Sequence, residues 1–97
     1  MTKFSSKIVL ITGGASGIGK LMGREVLQRG SKLVIWDVDK INLQQTLEEF
    51  EEFGEVYGYN VDITNTAWIQ EIAKQLKDEI GPVDILINNA GIVFGGY

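Results

Sequence analysis

The chain contains no cysteine and no histidine among its 97 residues. The lack of cysteine excludes disulfide bonds and thiolate metal sites, and the lack of histidine removes the commonest metal ligand and general base. A net charge of -4 argues against a nucleic-acid backbone as partner. No apolar run approaches the roughly 20 residues of a membrane-spanning helix, and residues 1–6 lack the apolar core of a signal peptide. We therefore expect a cytoplasmic protein with no metal, membrane or nucleic-acid partner.

A glycine-rich segment at residues 12–19 (TGGASGIG) follows a strand pattern and precedes a helical one. Residues 7–11 form a β-branched run of strand length, and apolar residues recur at helical spacing at Ile18, Leu21, Met22 and Val26. A helix N-terminus leaves backbone N–H groups unpaired and favours anions. Glycines alone could mark only a tight turn, but the strand and helix on either side favour a nucleotide phosphate site.

Strand and helix patterns alternate along the rest of the chain. Further strands are predicted at residues 32–37, 55–61 and 83–88. The second helix should end near Gly54, and the third should be capped by Thr64 and stopped at Gly81 and Pro82. The order β-α-β-α-β-α-β predicts an α/β fold, a doubly wound parallel sheet with helices on both faces. If the strand order is 3-2-1-4, it reverses between the first and fourth strands. Ligands of such sheets bind at the carboxyl ends of the strands, where the strand order reverses.

The spacing of the glycines carries a resemblance to a known family. Thr12, Gly13, Gly17 and Gly19 read T-G-x-x-x-G-x-G, which differs from the common G-x-G-x-x-G fingerprint. This order resembles the cofactor loop of the short-chain dehydrogenase/reductase family, whose fold is of the Rossmann type. By physical role, Gly13 should allow the sharp exit from the strand, Gly17 should make room for the pyrophosphate, and Gly19 should let the helix pack closely on the sheet. The candidate phosphate donors are the backbone amides near Ser16, Gly17 and Ile18.

An acidic side chain at the end of the second strand predicts the choice of cofactor. Asp37 lies eighteen positions after Gly19, where a carboxylate commonly accepts hydrogen bonds from the adenine ribose hydroxyls. The same carboxylate would repel the 2′-phosphate of NADP, and the neighbouring Ser16 and Val38 are uncharged. We therefore expect NAD to be preferred over NADP. The alternative is that Asp37 only caps the following helix, a role that Asp39 could fill instead.

Two further segments extend the resemblance over nearly the whole chain. Residues 62–63 close the third predicted strand, and residues 88–91 read N-N-A-G at the end of the fourth. The resemblance implies that the Asp62 side chain meets the adenine amino group and that the Ile63 backbone N–H meets the adenine ring. It implies likewise that three residues lie along the cofactor ribose, namely Asn89, Ala90 and Gly91, whereas Asn88 could be purely structural.

The catalytic part of the family pattern is not found in this chain. Family members use a serine and a Y-x-x-x-K pair, but no lysine follows Tyr57, Tyr59 or Tyr97 at that spacing. We therefore name no catalytic residue. We expect residues 1–97 to be one NAD-binding domain, the N-terminal part of a larger oxidoreductase that transfers hydride between the nicotinamide and an alcohol or carbonyl substrate. The alternative is a stand-alone, non-catalytic nucleotide-binding or interaction module.

The fourth predicted strand also suggests how the chain associates. Residues 85–87 (ILI) read as an interior strand, so an unpaired edge there would be apolar and would invite pairing with another chain. We expect a homo-oligomer.

Overall fold

Four strands and three helices alternate along residues 6–62 and 64–89, the part of the chain that the computed structural model describes. Their bounds are β1 (Ile8–Thr12), α1 (Gly17–Gln28), β2 (Lys32–Asp37), α2 (Lys40–Phe50), β3 (Val56–Asn60), α3 (Thr66–Glu79) and β4 (Ile85–Asn88). Each strand is followed by a helix up to β4, which confirms the predicted alternation.

All neighbouring strands are parallel, and the sheet has the order β3-β2-β1-β4. This order confirms the predicted 3-2-1-4 arrangement. The register places Thr12 opposite both Trp36 and Asn88, and Asp37 opposite Asn60. The carboxyl ends of the four strands therefore meet along one edge, which is the edge where ligands of such sheets bind.

The sheet is covered on both faces, which explains why its central strands carry no polar alternation. Val9, Ile11 and Leu33 pack with side chains of α1 and α2 on one face. Ile8 and Leu10, which alternate with them along β1, pack with Leu76 of α3 and other residues on the opposite face. Two apolar clusters thus hold the strand ends in place from both sides.

The first helix is confirmed, but only half of its predicted apolar stripe is buried: Val26 is in the core and Met22 packs against it. Ile18 and Leu21 are each 69% exposed, whereas Gly19 and Gly23 are buried against the sheet. A Cβ built on Gly23 would lie 2.9 Å from a methyl carbon of Leu33. The first half of the helix therefore approaches the sheet through glycines, whereas the second half contacts it through Val26 and Leu27, so hydrophobic periodicity identified only part of the contact.

The cap of the third helix differs from the sequence prediction by one residue. Asn65, and not Thr64, is the N-cap, because the Asn65 side chain accepts a 3.0 Å hydrogen bond from the Trp68 N–H. Thr64 instead donates both its N–H and its hydroxyl to Asp62 Oδ1. Both residues are good cap formers, and the neighbouring carboxylate decides between them.

The predicted strand bounds also shift by one or two residues. The first strand begins at Ile8 instead of Lys7, the third loses one residue at each end, and the fourth begins at Ile85 instead of Val83. At the start of β4, the Asp84 carboxylate accepts a 2.9 Å hydrogen bond from the Ile8 N–H, and the Asp84 N–H donates to the Ile8 carbonyl. Asp84 therefore fastens the entry of β4 to the entry of β1.

Candidate functional site

A cleft of about 530 Å³ opens at the carboxyl edge of the sheet, beside the start of α1. Its volume lies in the range of small-molecule binding sites. The described residues that line the cleft are Gly13, Ser16, Gly17, Ile18, Trp36, Asp37, Val38, Val61, Asp62, Thr64 and Asn89. Seven of the predicted site residues are among them. Ile63, Ala90 and Gly91 lie outside the described residues.

The glycine-rich segment exposes the beginning of α1 to this cleft. Gly13 turns the chain at φ 69° directly after β1, where its N–H donates to the Trp36 carbonyl at 2.7 Å. Ser16 is the N-cap of α1 in an extended conformation, and its side chain makes no capping hydrogen bond. Gly17 has φ 56°, and nothing lies within 4 Å of a Cβ built on it. The first turn of the helix is therefore open to an anion.

Gly19 marks the closest approach between α1 and the end of the sheet. A Cβ at this position would overlap the Gly13 carbonyl oxygen and the Asn89 side-chain amide. Asn89 Nδ2 also donates to the Gly13 carbonyl at 3.2 Å. Gly19 thus does not line the cleft itself but lets the helix, the glycine-rich segment and the end of β4 meet.

The Asp37 carboxylate lies across from the start of α1 and touches the glycine-rich segment directly. Its Oδ2 accepts a 3.0 Å hydrogen bond from the Ala15 N–H, and its Oδ1 accepts one of 2.9 Å from the Asp39 N–H. The N-cap of α2 is Asp39, whose side chain accepts from the Asn42 N–H. Because each carboxylate oxygen has two lone pairs, Asp37 keeps the capacity to accept from a ligand hydroxyl.

Asp62 is the second acid of the cleft. The two hydrogen bonds from Thr64 hold its carboxylate at the end of β3 and lower the pKa of Asp62. Both acids of the cleft are thus oriented by backbone or hydroxyl donors. Among the described lining residues none is basic, and Asp37 and Asp62 are the charged ones. The side of the cleft at the ends of β2 and β3 is therefore acidic.

One polar residue connected to this site was missed by the sequence analysis. Thr46 of α2 is completely buried, and its hydroxyl donates to the Ala15 carbonyl at 3.2 Å. The sequence indicates that Thr46 is buried, because it lies on the helix face that also carries Leu43, Leu47 and Phe50. A buried hydroxyl needs a hydrogen-bond partner, but the sequence does not indicate which group supplies it.

The two tyrosines in the described part of the chain are unsuited to proton transfer in the cleft. The Tyr57 hydroxyl donates to Glu55 at 2.7 Å, and this hydrogen bond raises the pKa of Tyr57. Burial and a 2.9 Å hydrogen bond to Glu79 raise the pKa of Tyr59 to about 12. Neither residue lines the cleft, so the described geometry provides a binding site without an acid–base tyrosine.

Comparison with known proteins agrees with this geometry. The family model described as short chain dehydrogenase matches residues 7–96. The chain belongs to this family. Estradiol 17-beta-dehydrogenase 11 of Macaca fascicularis is 45% identical over 91 residues, which are 93% of this chain and 30% of that protein. Epidermal retinol dehydrogenase 2 of Homo sapiens is 42% identical over 93 residues, 94% of this chain and 30% of that protein. The chain thus spans under a third of the length of these relatives.

A solved structure of the same family also shares the fold. The short-chain dehydrogenase/reductase of Burkholderia phymatum, in complex with NAD, has a TM-score of 0.83 and 33% sequence identity. The alignment covers 89% of this chain and 31% of that one. The chain therefore corresponds to a cofactor-binding part of the family fold.

In the described ranges, no group of three or more acidic side chains is placed to hold a metal ion. No helix in the same ranges is both long and apolar enough to cross a membrane.

Proposed function

We propose that this chain is the dinucleotide-binding part of an NAD-dependent oxidoreductase that interconverts an alcohol and a carbonyl compound. The observation that carries the proposal is the direct link between Asp37 and the glycine-rich segment, 3.0 Å from Asp37 Oδ2 to the Ala15 N–H, in a cleft open to the start of α1. This link brings an anion-binding helix end and a hydroxyl-binding carboxylate together. A dinucleotide carries both groups that such a pair can bind.

The pyrophosphate is assigned to the open first turn of α1. Ser16, Gly17 and Ile18 are exposed and line the cleft. Their backbone amides belong to the helix end where donors are unpaired and the dipole favours negative charge. The empty space beside the Gly17 Cα lets phosphate oxygens come close to the backbone, which a side chain at that position would prevent.

The adenine ribose is assigned to Asp37, and this assignment supports NAD over NADP. The half-buried Asp37 carboxylate can accept hydrogen bonds from the two ribose hydroxyls. A 2′-phosphate at the same place would meet this charge with no basic residue among the described lining residues to offset it. Lys20, on the first turn of α1, is paired with Glu49 at 3.0 Å.

The two ends of the dinucleotide are assigned to the ends of the two outer strands, β3 and β4. Asp62, held by Thr64, and the backbone N–H of Ile63 are proposed to meet the adenine. Asn89, which holds the Gly13 carbonyl, is proposed to lie along the ribose of the nicotinamide together with Ala90 and Gly91. The nicotinamide, when bound, supplies hydride transfer, and the residues of this chain bind and orient it. No catalytic residue is assigned to these 97 positions.

The test is a calorimetric titration of the purified chain with NADH and NADPH in parallel. The proposal predicts saturable binding of NADH. NADPH should bind at least about tenfold more weakly, a difference in binding free energy of roughly 1.4 kcal/mol or more. Equal affinity for the two cofactors would overturn the preference for NAD. A chain that is folded by circular dichroism but binds neither cofactor would favour a non-catalytic interaction module.

A further inference from the structure

Thr46 places a hydroxyl where the packing of α2 calls for an apolar side chain. It is 0% exposed and lies on the buried face of α2 with Leu43 and Phe50. Threonine is a weak helix former, and its hydroxyl in a helix usually bonds a carbonyl one turn earlier in the same helix. Here the hydroxyl leaves its own helix and donates to the Ala15 carbonyl, 31 residues away in the sequence.

With this contact, both backbone polar groups of Ala15 in the glycine-rich segment are hydrogen-bonded to side chains. The Ala15 N–H donates to Asp37 Oδ2 at 3.0 Å, and the Ala15 carbonyl accepts from Thr46 Oγ1 at 3.2 Å. Ala15 itself is 3% exposed. The peptide groups before and after Ala15 are therefore both held by side chains that belong to other elements, one at the end of β2 and one within α2.

The peptide group after Ala15 also contains a predicted phosphate donor. The Ala15 carbonyl and the Ser16 N–H belong to one planar trans unit, so they point in opposite directions. Because the carbonyl points inward to the buried Thr46, the Ser16 N–H points away from α2, on the side where Ser16 lines the cleft. A flipped peptide group would instead turn the carbonyl oxygen, the negative end of the dipole, toward the cleft.

We propose that Thr46 is a positioning residue for phosphate recognition: its hydroxyl holds the Ala15 carbonyl inward and thereby keeps the Ser16 N–H directed at the pyrophosphate. The inference rests on the proposed function, because it takes the cleft to be the dinucleotide site. It adds a residue of α2, remote from the cleft surface, to the groups that determine affinity. The phosphate part of the ligand should depend on Thr46, and the nucleoside part should not.

The experiment compares Thr46→Val, which keeps the shape and removes the hydroxyl, with Thr46→Ser, which keeps the hydroxyl and removes a methyl group. The affinities of both variants and of the unchanged chain are measured by NMR titration with ADP-ribose, which carries the pyrophosphate, and with adenosine, which does not. We expect Thr46→Val to bind ADP-ribose roughly tenfold more weakly with adenosine affinity unchanged. Thr46→Ser should bind both ligands like the unchanged chain.

The ligand-free chain provides a readout that does not depend on binding. The carbonyl carbon-13 chemical shift of Ala15 should move in Thr46→Val and return in Thr46→Ser, since only the former loses the hydrogen bond. If Thr46→Val does not fold, Thr46→Ala and Thr46→Ser make the same comparison, because they differ by the hydroxyl alone.

The outcomes separate this inference from the proposed function. If the unchanged chain binds ADP-ribose and Thr46→Val binds it equally well, the inference is wrong while the proposed function stands. An equal loss of ADP-ribose and adenosine would mean that Thr46 only supports the fold, which also overturns the inference. If the unchanged chain binds neither ligand, the proposed function itself fails.

Discussion

The Asp37 carboxylate is not the cap of α2, the role that the sequence left open as an alternative to ribose binding. It holds the Ala15 and Asp39 N–H groups, and it lines the cleft together with Asp62. The capping task belongs to Asp39, two residues later. A substitution of Asp37 therefore acts on the ligand directly and on the glycine-rich segment through Ala15, and a test has to separate these effects.

Asp37→Asn should weaken NADH binding and narrow the gap between NADH and NADPH. The amide keeps one acceptor oxygen in place of two, which should cost about 1–3 kcal/mol of NADH affinity, and the charge that repels the 2′-phosphate is lost. The measurement is the ratio of the two dissociation constants by calorimetry. Asp39→Asn is the matched control, because it removes the same charge and asparagine is an equally good N-cap. If both variants shift the ratio equally, Asp37 is not the selector.

At the scale of elements, a hydrogen bond between two side chains joins β3 to the last turn of α3. The Tyr59 hydroxyl donates to Glu79 Oε1 at 2.9 Å, and the two residues belong to β3 and to the last turn of α3. Asp62 and Thr64 form the connection between these elements at the other end of the helix. The Tyr59–Glu79 hydrogen bond therefore fastens the end of α3 that lies away from Asp62 and Thr64.

The contribution of this contact to stability should disappear at high pH. Burial and the hydrogen bond raise the pKa of Tyr59 from 10.0 to about 12. Because the folded-state pKa lies above the unfolded one, the contribution is complete below about pH 10 and is lost as the pH rises toward about 12. Urea unfolding should show Tyr59→Phe less stable than the unchanged chain at about pH 9, with the difference shrinking by about pH 11.5.

Tyr57→Phe is the control for this pH dependence. The Tyr57 hydroxyl donates to Glu55, two residues away, so Tyr57→Phe leaves the β3–α3 contact intact. If the difference in unfolding free energy between Tyr59→Phe and the unchanged chain stays constant from about pH 9 to about pH 11.5, the Tyr59–Glu79 contact does not make the expected pH-dependent contribution to stability.

The order and pairing of the elements could be predicted from the sequence because local signals agree with the fold. Apolar runs such as residues 85–87 and the alternation of strands with helices indicate a parallel sheet, and the resemblance to the family supplied its order 3-2-1-4. The glycine positions predicted the turn after β1 and the open start of α1. These features depend on residues that are close in the sequence.

The contacts that could not be predicted join residues far apart in the sequence. Ala15 meets Asp37 and Thr46 at separations of 22 and 31 residues, and no periodic pattern indicates such pairs. The exposure of Ile18 and Leu21 follows from the glycine face of α1, which hydrophobic periodicity does not register. The cap of α3 is a local exception: Asn65 and Thr64 are both good caps, and the Asp62 carboxylate, two residues before Thr64, accepts the Thr64 hydroxyl hydrogen bond and leaves the cap to Asn65.

At the scale of the whole molecule, the described part of the chain is a four-stranded sheet with an apolar cluster on each face and a cleft at its carboxyl edge. Among the described residues, β4 pairs with β1 alone, and its Leu86 side chain is 61% exposed. The chain spans 30% of the length of the two relatives compared, so the activity of a whole protein stays a proposal. Homo-oligomerisation and a cytoplasmic location stay predictions from the sequence.

The central claim is that a dinucleotide binds in the cleft at the carboxyl edge of the sheet. The most direct measurement is an NMR titration of the nitrogen-15-labelled chain with NADH, followed residue by residue. Shifts should concentrate on the amides of Ser16, Gly17, Asp37, Asp62 and Asn89. They should be absent from a second cavity, beneath α3, that is lined by residues including Ala73, Lys77 and Val83. Shifts centred on that second cavity, or none in a folded chain, would contradict the claim.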